Sequence, residues 1–353
     1  MADFADRLLR WFDANGRKDL PWQKNPTPYR VWISEIMLQQ TQVSTVIPYF
    51  QRFVDTFPDV HALAAAEQDQ VLHLWTGLGY YARARNLHQA AKIVVRDHGG
   101  EFPPGVERLC ELPGIGRSTA GAITALGQGE WAAILDGNVK RVLTRCFAVP
   151  GWPEQSAVKR HLWELAESLT PRQAVRDYTQ AIMDLGATVC TRSSPRCQAC
   201  PVNAQCLALQ ADSIPSFPGR KPVRKLPIKA TVMHMVEDPD RQVLLEKRPP
   251  SGIWGGLWSF PEGDNTDQLP DFLTSQPATA QPELWPVLRH TFSHYHLDIT
   301  PVHRKIRQHP GTVLESGRWL WYPLSQTDKP VEIGLAAPVK KLLQRLAGSS
   351  IKH

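Results

Sequence analysis

The chain has 353 residues, a hydrophobic content of 42%, a net charge of +6 and an isoelectric point near 9.0. This length suggests two domains, and the lack of any run of about 18 apolar residues argues against a membrane span. The basic balance favours an anionic partner without identifying it. Because residues 1–16 lack the basic start and apolar centre of a signal peptide, we expect a cytoplasmic protein.

Helical patterns dominate residues 1–210. An amphipathic helix is predicted over 1–16, and Thr27 followed by Pro28 predicts the N-cap and first residue of a second helix. Further helical patterns cover 43–54, 80–97, 117–126, 137–147, 156–169 and 172–185. We therefore predict one helical domain over 1–210.

One acidic residue interrupts the apolar run of the second helix. Glu35 lies within residues 32–41, which read WISEIMLQQT. An outward-facing acid is the ordinary alternative. A buried carboxyl group, however, has a raised pKa and can hold a proton at neutral pH. Glu35 is therefore a candidate general acid.

Residues 112–120, which read LPGIGRSTA, predict a hairpin between two helices. Gly114 and Gly116 permit a tight turn where the backbone approaches a ligand, and the following amides open a helix, which favours an anion. A plain helical corner is the alternative. Downstream, Asp136 precedes another helix. It is a candidate N-cap, and we expect the cations at 140–141 to keep it ionised.

Four cysteines crowd into 17 residues with the spacing Cys190-x6-Cys197-x2-Cys200-x5-Cys206. Four thiolates so placed can hold one cuboid iron–sulfur cluster. Zinc is the rival, although zinc sites commonly use two Cys-x2-Cys turns and only one is present; free thiols are the remaining alternative. We expect the other two cysteines, Cys110 and Cys146, to be isolated and buried. Two arginines between the first ligands, Arg192 and Arg196, suit phosphate contacts, against a merely solubilising role.

Residues 211–227 are basic and rich in proline, which predicts a linker that is either a solvated tether or a further contact to phosphates. Short strand patterns then cover 231–236, 243–247, 285–290, 297–305 and 319–323, before a helix over 337–347. We predict an α+β domain over 228–353.

The cysteine spacing and the hairpin resemble those of the endonuclease III superfamily of DNA glycosylases, and WISEIMLQQT resembles MutY-type adenine glycosylases. Residues 245–248 and 252–261 resemble a Nudix (MutT-like) fold, without the metal-binding helix of a working Nudix hydrolase. The resemblance implies a mainly α fold: a two-lobed helix-hairpin-helix domain with an iron–sulfur loop, then an α+β Nudix-like domain. It also implies a [4Fe–4S] cluster and a monovalent cation held by carbonyls of the hairpin.

The same resemblance implies a monomeric, bacterial-type repair enzyme associated with the nucleoid. Its substrate would be duplex DNA with adenine opposite 8-oxoguanine or guanine, and it would flip adenine out and hydrolyse the N-glycosidic bond. Glu35 would protonate the leaving base while ionised Asp136, oriented by Asn138, stabilises the sugar cation. Bifunctional relatives carry lysine where Ser118 stands. Because Ser118 cannot form a Schiff base, we predict a monofunctional enzyme that leaves an abasic site.

Contacts to DNA are also implied by the resemblance. Gln40 and Tyr80 are candidates for the wedge that fills the gap left by the flipped base, with a core role as the alternative for Tyr80. The further assignments are phosphate contacts by Arg83, Gly114, Gly116, Arg117, Lys140, Arg192 and Arg196, an adenine pocket of Trp22, Leu38 and Gln180, and recognition of 8-oxoguanine by Phe292, Ser293 and His294.

Three other functions remain open. A pyrimidine-specific lyase is opposed by Glu35, Ser118 and the C-terminal domain. A non-catalytic iron–sulfur DNA-binding regulator would bind duplex without releasing a base. A nucleotide-pool hydrolase is disfavoured because 262–283 contains no arginine for the metal-binding helix.

Overall fold

The computed structural model describes residues 2–222, 225–250, 252–274, 281–308, 317–324 and 333–348. Contacts divide the chain into two units: Met1–Ala65 with Asn86–Val223, and Ala66–Arg85 with Arg224–His353. This division differs from the predicted boundaries because Ala66–Arg85 belongs to the second unit. There the Tyr81 hydroxyl donates to the Leu335 carbonyl (2.7 Å), and Lys247 pairs with Asp69 (2.9 Å).

The first unit is helical, as the periodicity predicted. Its helices are α1 (Ala2–Asn15), α2 (Pro28–Leu38), α3 (Val43–Thr56), α4 (Val60–Ala65), α6 (Ala82–His98, from Asn86 onward), α7 (Val106–Leu109), α8 (Arg117–Ala122), α9 (Gly137–Cys146), α10 (Ser156–Leu169), α11 (Val175–Asp184) and α12 (Leu207–Gln210). The Thr27 side chain caps α2 by accepting from the Arg30 amide, and Pro28 is its first residue. Helices α8 and α11 continue as π-helical stretches, Ile123–Gln128 and Leu185–Val189.

Packing within the first unit places α1 against α9, α10 and α11, and α8 against the stretch 132–135. The apolar face of α1, with Phe4, Leu8 and Phe12, is buried in a cluster with residues of α9, α10 and α11. Helix α8 approaches the stretch 132–135 closely at Gly121, where an added Cβ would lie 2.3 Å from the Ala133 carbonyl oxygen. This approach brings α8 beside the segment that leads into α9.

The second unit is built around one mixed sheet. Its elements are α5 (Gln68–Leu74), β1 (Ile228–Glu237), β2 (Gln242–Lys247), β3 (Trp258–Ser259), β4 (Glu262–Gly263), α13 (Asp271–Thr274), β5 (Glu283–Leu284), β6 (Leu288–Thr291), β7 (His296–Lys305), β8 (Trp319–Pro323) and α14 (Ala337–Gly348). The strand order is β3-β2-β1-β7-β5; β4 pairs with β1, β6 with β7 and β8 with β2. Strands β1 and β7 are parallel, and the other pairs are antiparallel.

The predicted hairpin of β1 and β2 and the closing helix are present. The single strand predicted over 285–290 is wrong: β5 ends at Leu284 and β6 begins at Leu288. Pro286, which lies between them, has no amide hydrogen for a strand ladder. Residues 223 and 224 of the predicted linker lie outside the described residues. Among the residues that are described, no helix is long and apolar enough to cross a membrane.

Candidate active site

A cavity of about 760 Å³ opens in the first unit, and we call it the active-site cavity. Residues from α2, α8, α9 and α11 line it, so segments far apart in the chain meet there. It is lined by all seven residues that the sequence proposed for chemistry and the base pocket, and by two of the proposed DNA contacts: Trp22, Glu35, Leu38, Ser118, Asp136, Asn138 and Gln180, with Gln40 and Arg192.

Glu35 lies on α2 between residues that are almost wholly buried, and it is itself half-buried at the cavity wall. Removal from water penalises the ionised carboxylate, and the nearby charge of Asp136 adds to the penalty. Together they raise the pKa of Glu35 from 4.5 to about 8. Glu35 is therefore mostly protonated at neutral pH.

Asp136 is the N-cap of α9. Its Oδ1 accepts from the Val139 amide at 2.7 Å, and its Oδ2 accepts from Asn138 Nδ2 at 3.2 Å. Burial raises the pKa of Asp136, while these hydrogen bonds and the charge of Arg141 act to lower it. Lys140, which was expected to favour the ionised form, pairs instead with Glu154.

A hydrogen-bonded path leads from Asp136 toward the cysteine segment. The Arg141 guanidinium donates to Asn138 Oδ1 and to the Gly186 carbonyl, both at 2.7 Å, and to the Cys190 carbonyl at 2.7 Å. An added Cβ on Gly186 would lie 2.5 Å from Asn138 Cβ, so glycine allows the two segments to touch. The path fixes Asn138 from both ends.

Ser118 has a positioning role in this structure. Its hydroxyl oxygen accepts a hydrogen bond from the Leu135 amide at 3.0 Å. That bond ties the start of α8 to the residue before Asp136. Ser118 therefore helps to hold the chain where the N-cap carboxylate enters the cavity.

Two residues that the sequence reasoning missed, Arg17 and Asp184, hold Gln180 in the wall of the active-site cavity. The Asp184 side chain is 1% exposed and accepts from the Arg17 guanidinium at 2.6 Å. Gln180 Nε2 donates to the same carboxylate at 2.9 Å. Because the amide nitrogen is held this way, the amide oxygen of Gln180 is left as an acceptor. The spacing of Gln180 and Asp184, one helical turn, was the signal available for Asp184; Arg17 had none.

The hairpin of residues 112–120 requires glycine at one position. Gly114 has a φ of 79°, and an added Cβ would meet Asn86 Cβ at 2.8 Å. Gly116 has an ordinary φ of −90° and is the N-cap of α8. The Arg117 guanidinium lies 4.0 Å from the centre of the Trp163 ring and pairs with Glu167.

The two wedge candidates share a left-handed backbone. Gln40 has a φ of 59° and Tyr80 has a φ of 50°; both are exposed. In the second unit, Arg83 donates to the carbonyls of Leu78 and Gly79, each at 3.2 Å, and lies over the Tyr80 ring. Burial lowers the pKa of Arg83 to about 10. Arg83 thus braces the turn that carries Tyr80.

The four cysteines of the 190–206 segment line one small cavity, the cysteine cavity. Cys146 also lines it, so the expectation that Cys146 is isolated is wrong; it is buried, whereas Cys110 is exposed, against expectation. Within the described residues, none of these cysteines forms a disulfide. Within the described residues, no group of three or more His, Cys, Asp or Glu side chains is placed to hold a metal ion.

Arg145 is a further residue missed from the sequence. It is buried on α9 and donates to Cys190 Sγ at 3.4 Å and to the Thr191 carbonyl at 2.7 Å. Of the two arginines in the cysteine segment, exposed Arg192 reaches the wall of the active-site cavity. Exposed Arg196 donates to the Thr188 carbonyl at 2.8 Å.

In the second unit, Phe292, Ser293 and His294 form a turn between β6 and β7, which we call the Phe-Ser-His loop. The Phe292 amide closes it by donating to the Tyr295 carbonyl at 2.9 Å. Ser293 and His294 are exposed, and Phe292 is half-buried. The loop therefore presents one ring and two hydrogen-bonding side chains.

Two family models match the chain. Residues 33–168 match the HhH-GPD superfamily of base excision DNA repair proteins, and residues 232–345 match the NUDIX domain. Relatives named adenine DNA glycosylase span nearly the whole chain. That of Buchnera aphidicola from Acyrthosiphon pisum is 37% identical over 342 residues, 97% of each chain. The human relative is 35% identical over 90% of this chain and 70% of its own.

Solved structures resemble the helical part. A thermostable thymine-DNA glycosylase is 28% identical, with a TM-score of 0.54 over 59% of this chain and 95% of that one. Endonuclease III in a non-covalent DNA complex is 20% identical, with a TM-score of 0.51 over 59% of this chain and 94% of that one, which supports the fold alone.

Proposed function

We propose that this chain, which belongs to the adenine DNA glycosylase family, excises adenine paired with 8-oxoguanine or guanine in double-stranded DNA and leaves an abasic site. The observation that carries the proposal is the pair of carboxyl groups in the active-site cavity. Glu35, with a pKa of about 8, holds a proton, and Asp136 is bound by hydrogen-bond donors at the N-terminus of α9.

The two carboxyl groups suit the two needs of N-glycosidic hydrolysis. Adenine leaves poorly as an anion, so Glu35 donates its proton to the base as the bond breaks. Positive charge then develops on the sugar, and the Asp136 carboxylate stabilises it in the manner of glycosidases. Asn138, held between Asp136 and Arg141, orients that carboxylate.

Selection of adenine is attributed to the cavity wall. The Gln180 amide oxygen accepts from the exocyclic amino group of adenine, whereas guanine would present an acceptor there. Trp22 and Leu38 supply apolar surface for the flipped base. The lack of a lysine at Ser118 supports a monofunctional reaction, because Ser118 is bonded to the Leu135 amide and cannot form a Schiff base.

Binding to duplex DNA is attributed to the hairpin and its neighbours. The backbone at Gly114 and Gly116, with the amides that open α8, suits phosphate, and hairpin carbonyls suit a monovalent cation. Gln40 and Tyr80 fill the stack after flipping, and Ser293 and His294 bond to the N7–H and O8 of 8-oxoguanine beside Phe292. The cations assigned to phosphates are Arg83, Arg117, Lys140, Arg192 and Arg196. The protein would act as a cytoplasmic monomer.

The cysteine cavity fits a [4Fe–4S] cluster. Its four cysteines line one cavity, and their spacing contains only one Cys-x2-Cys turn, whereas zinc sites commonly use two. Arg145 donates to Cys190 Sγ at 3.4 Å and so places a positive charge beside this cavity. When bound, the cluster supplies a cross-link rather than chemistry for this hydrolysis, and Cys190, Cys197, Cys200 and Cys206 would hold it.

The cluster assignment has its own test. Purified protein should contain iron and sulfide with broad visible absorption, and Cys200→Ser should lose both. We expect that loss to lower stability by about 2–5 kcal/mol, as loss of a native cross-link does. Cys110→Ser, at an exposed cysteine outside the cavity, is the control. Zinc without iron in protein purified anaerobically would contradict the assignment.

The function is tested by single-turnover incubation with duplexes carrying adenine opposite 8-oxoguanine, guanine or thymine. Strand cleavage only in the mispairs, and only after alkali, supports a monofunctional adenine glycosylase. Cleavage without alkali would indicate a lyase. Tight binding without base release would support the non-catalytic regulator and overturn the proposal.

A further inference from the structure

Trp254 lies in the second unit, on a compact loop between β2 and β3. The loop is closed by hydrogen bonds from the Arg248 amide to the Leu257 carbonyl (2.8 Å) and from the Leu257 amide to the Trp254 carbonyl (2.9 Å). Trp254 has a φ of 54°, in the left-handed region that a bulky residue rarely adopts. Residues kept in such a backbone conformation are held there by the surrounding structure, and they often belong to functional sites.

The Trp254 ring is directed at the Phe-Ser-His loop. Its centroid lies 5.4 Å from that of Phe292 and 5.6 Å from that of His290. Phe292 in turn lies 4.6 Å from His290 and 4.8 Å from Tyr295. All four distances fall in the range of favourable ring contacts. With His294 at 6.2 Å, four rings of the described residues contact Phe292, and Trp254 is the one contributed from outside the β6–β7 hairpin.

We infer that Trp254 is a positioning residue that fixes the Phe292 ring beside the 8-oxoguanine opposite the target adenine. This inference rests on the proposed function. Phe292 sits at the tip of a turn whose next two residues are exposed, so without a wall its ring would sample several rotamers. A ring that became fixed only when DNA binds would lose conformational entropy at that moment, which would weaken recognition. A ring that is already fixed in the free protein avoids this loss.

We expect Trp254 to affect the preference for adenine opposite 8-oxoguanine over adenine opposite guanine, and not the cleavage of the N-glycosidic bond itself. Trp254 does not line the active-site cavity, so we expect loss of its ring to leave Glu35 and Asp136 unchanged. We expect a lower ratio of the excision rate opposite 8-oxoguanine to the rate opposite guanine. A purely structural tryptophan would lower both rates together, or neither.

The backbone conformation provides a matched pair of variants. Trp254→Gly removes the ring while suiting the positive φ, and Trp254→Phe keeps a ring at the cost of the same strained backbone. Phe292→Ala tests the loop itself. Trp285→Leu removes another tryptophan of the same unit, one that contacts His303 rather than the loop. Thermal unfolding confirms that each variant is folded.

Single-turnover rates on duplexes with adenine opposite 8-oxoguanine and opposite guanine give the preference. We expect Trp254→Gly to lower it by about 2- to 10-fold, the worth of one or two ring contacts, with the rate opposite guanine unchanged. Trp254→Phe should restore most of it, and Trp285→Leu should leave it unaltered. With Phe292→Ala already present, adding Trp254→Gly should have no further effect.

Different outcomes would contradict the proposed role of the Phe-Ser-His loop and the inference about Trp254. If Phe292→Ala leaves the preference unchanged, the proposed role of the loop in lesion recognition is wrong. If Phe292→Ala lowers the preference but folded Trp254→Gly does not, the inference about Trp254 is overturned. Additive effects of the two substitutions would overturn it as well, because they would show that Trp254 does not act through Phe292.

Discussion

The active-site cavity and the Phe-Ser-His loop are built on opposite principles. Glu35 and Asp136 are half-buried in the cavity wall, where loss of water, nearby charges and hydrogen bonds set their pKa values. Phe292 and His294 stand on a turn, and ring contacts set their positions. Acid catalysis needs a carboxyl group removed from water, because water would return its pKa to 4.5. Recognition of a base within a duplex needs side chains that reach outward.

This contrast predicts effects of different size. Removing the proton donor takes away a contribution worth 10²- to 10⁴-fold in rate, as general acids typically supply. Removing one ring from a recognition loop takes away contacts worth about 0.5–1.5 kcal/mol each. The experiments below test whether the two regions are separable in this way.

The largest effect should follow from Glu35→Gln. The substitution keeps the shape of the side chain but removes the donated proton, so we expect single-turnover base release to fall at least about 100-fold. Affinity for the mispaired duplex should stay within a few-fold. Glu164→Gln, at an exposed glutamate on α10, is the control. Retention of more than about a tenth of the rate would remove Glu35 from the role of acid.

The pH dependence of the same rate should follow Glu35. Because the reactive form is protonated and the pKa of Glu35 is about 8, base release should be steady near neutrality and fall as pH rises through about 8. The decline should approach tenfold per pH unit above that point. The residual rate of Glu35→Gln should show no such decline. A wild-type rate that increases from pH 7 to pH 9 would contradict the assignment.

A smaller and more selective effect should follow from Phe292→Ala. We expect it to lower the preference for adenine opposite 8-oxoguanine by about 3- to 10-fold, with little change opposite guanine. Phe272→Ala, which removes a ring packed at 5.0 Å from Trp319 in the same unit, is the matched control. Equal losses on both duplexes would mean that the loop contributes to general DNA binding and not to recognition.

The smallest effect concerns stability. Because burial raises the folded-state pKa of Glu35 above its ordinary 4.5, ionisation is disfavoured in the folded protein, and wild-type stability declines as pH rises from about 4.5 to about 8. Glu35→Gln cannot ionise, so its advantage in melting temperature over the wild type should grow across that window. Melting curves at pH 5.5 and 8.5 measure it. An advantage that shrinks toward pH 8.5 would show that Glu35 is not buried as described.

Sequence patterns predicted much of the fold because helical periodicity and strand alternation are local. They placed α1, α2, α3, α6 and α8 to α11 closely, but they did not predict α4 or α5, and they failed at Pro286, where a single residue splits a strand. They also could not show that Ala66–Arg85 belongs to the second unit, because that follows from long-range bonds such as Tyr81 to Leu335.

In the candidate site, motif residues were predictable and their partners were not. Arg145 is a buried polar residue whose partners come from distant segments, and Asp184 is bound by distant Arg17, so only its one-turn spacing from Gln180 was visible in the sequence. Likewise, Lys140 and Arg117 could be chosen as cations, but their pairing with Glu154 and Glu167 depends on the fold. Long-range polar pairing is therefore the part of this site that required the structure.

Those two pairs have a consequence for how the protein responds to salt. In free solution, Glu154 and Glu167 act as built-in counterions for Lys140 and Arg117. When these cations contact phosphates, as proposed, a carboxylate is exchanged for a phosphate at each. Counterions condensed on the DNA are still released, but each of the two cations loses its ion pair with a carboxylate of the protein. This exchange lowers the nonspecific affinity for undamaged duplex, so the enzyme can leave such DNA readily and sample other sites.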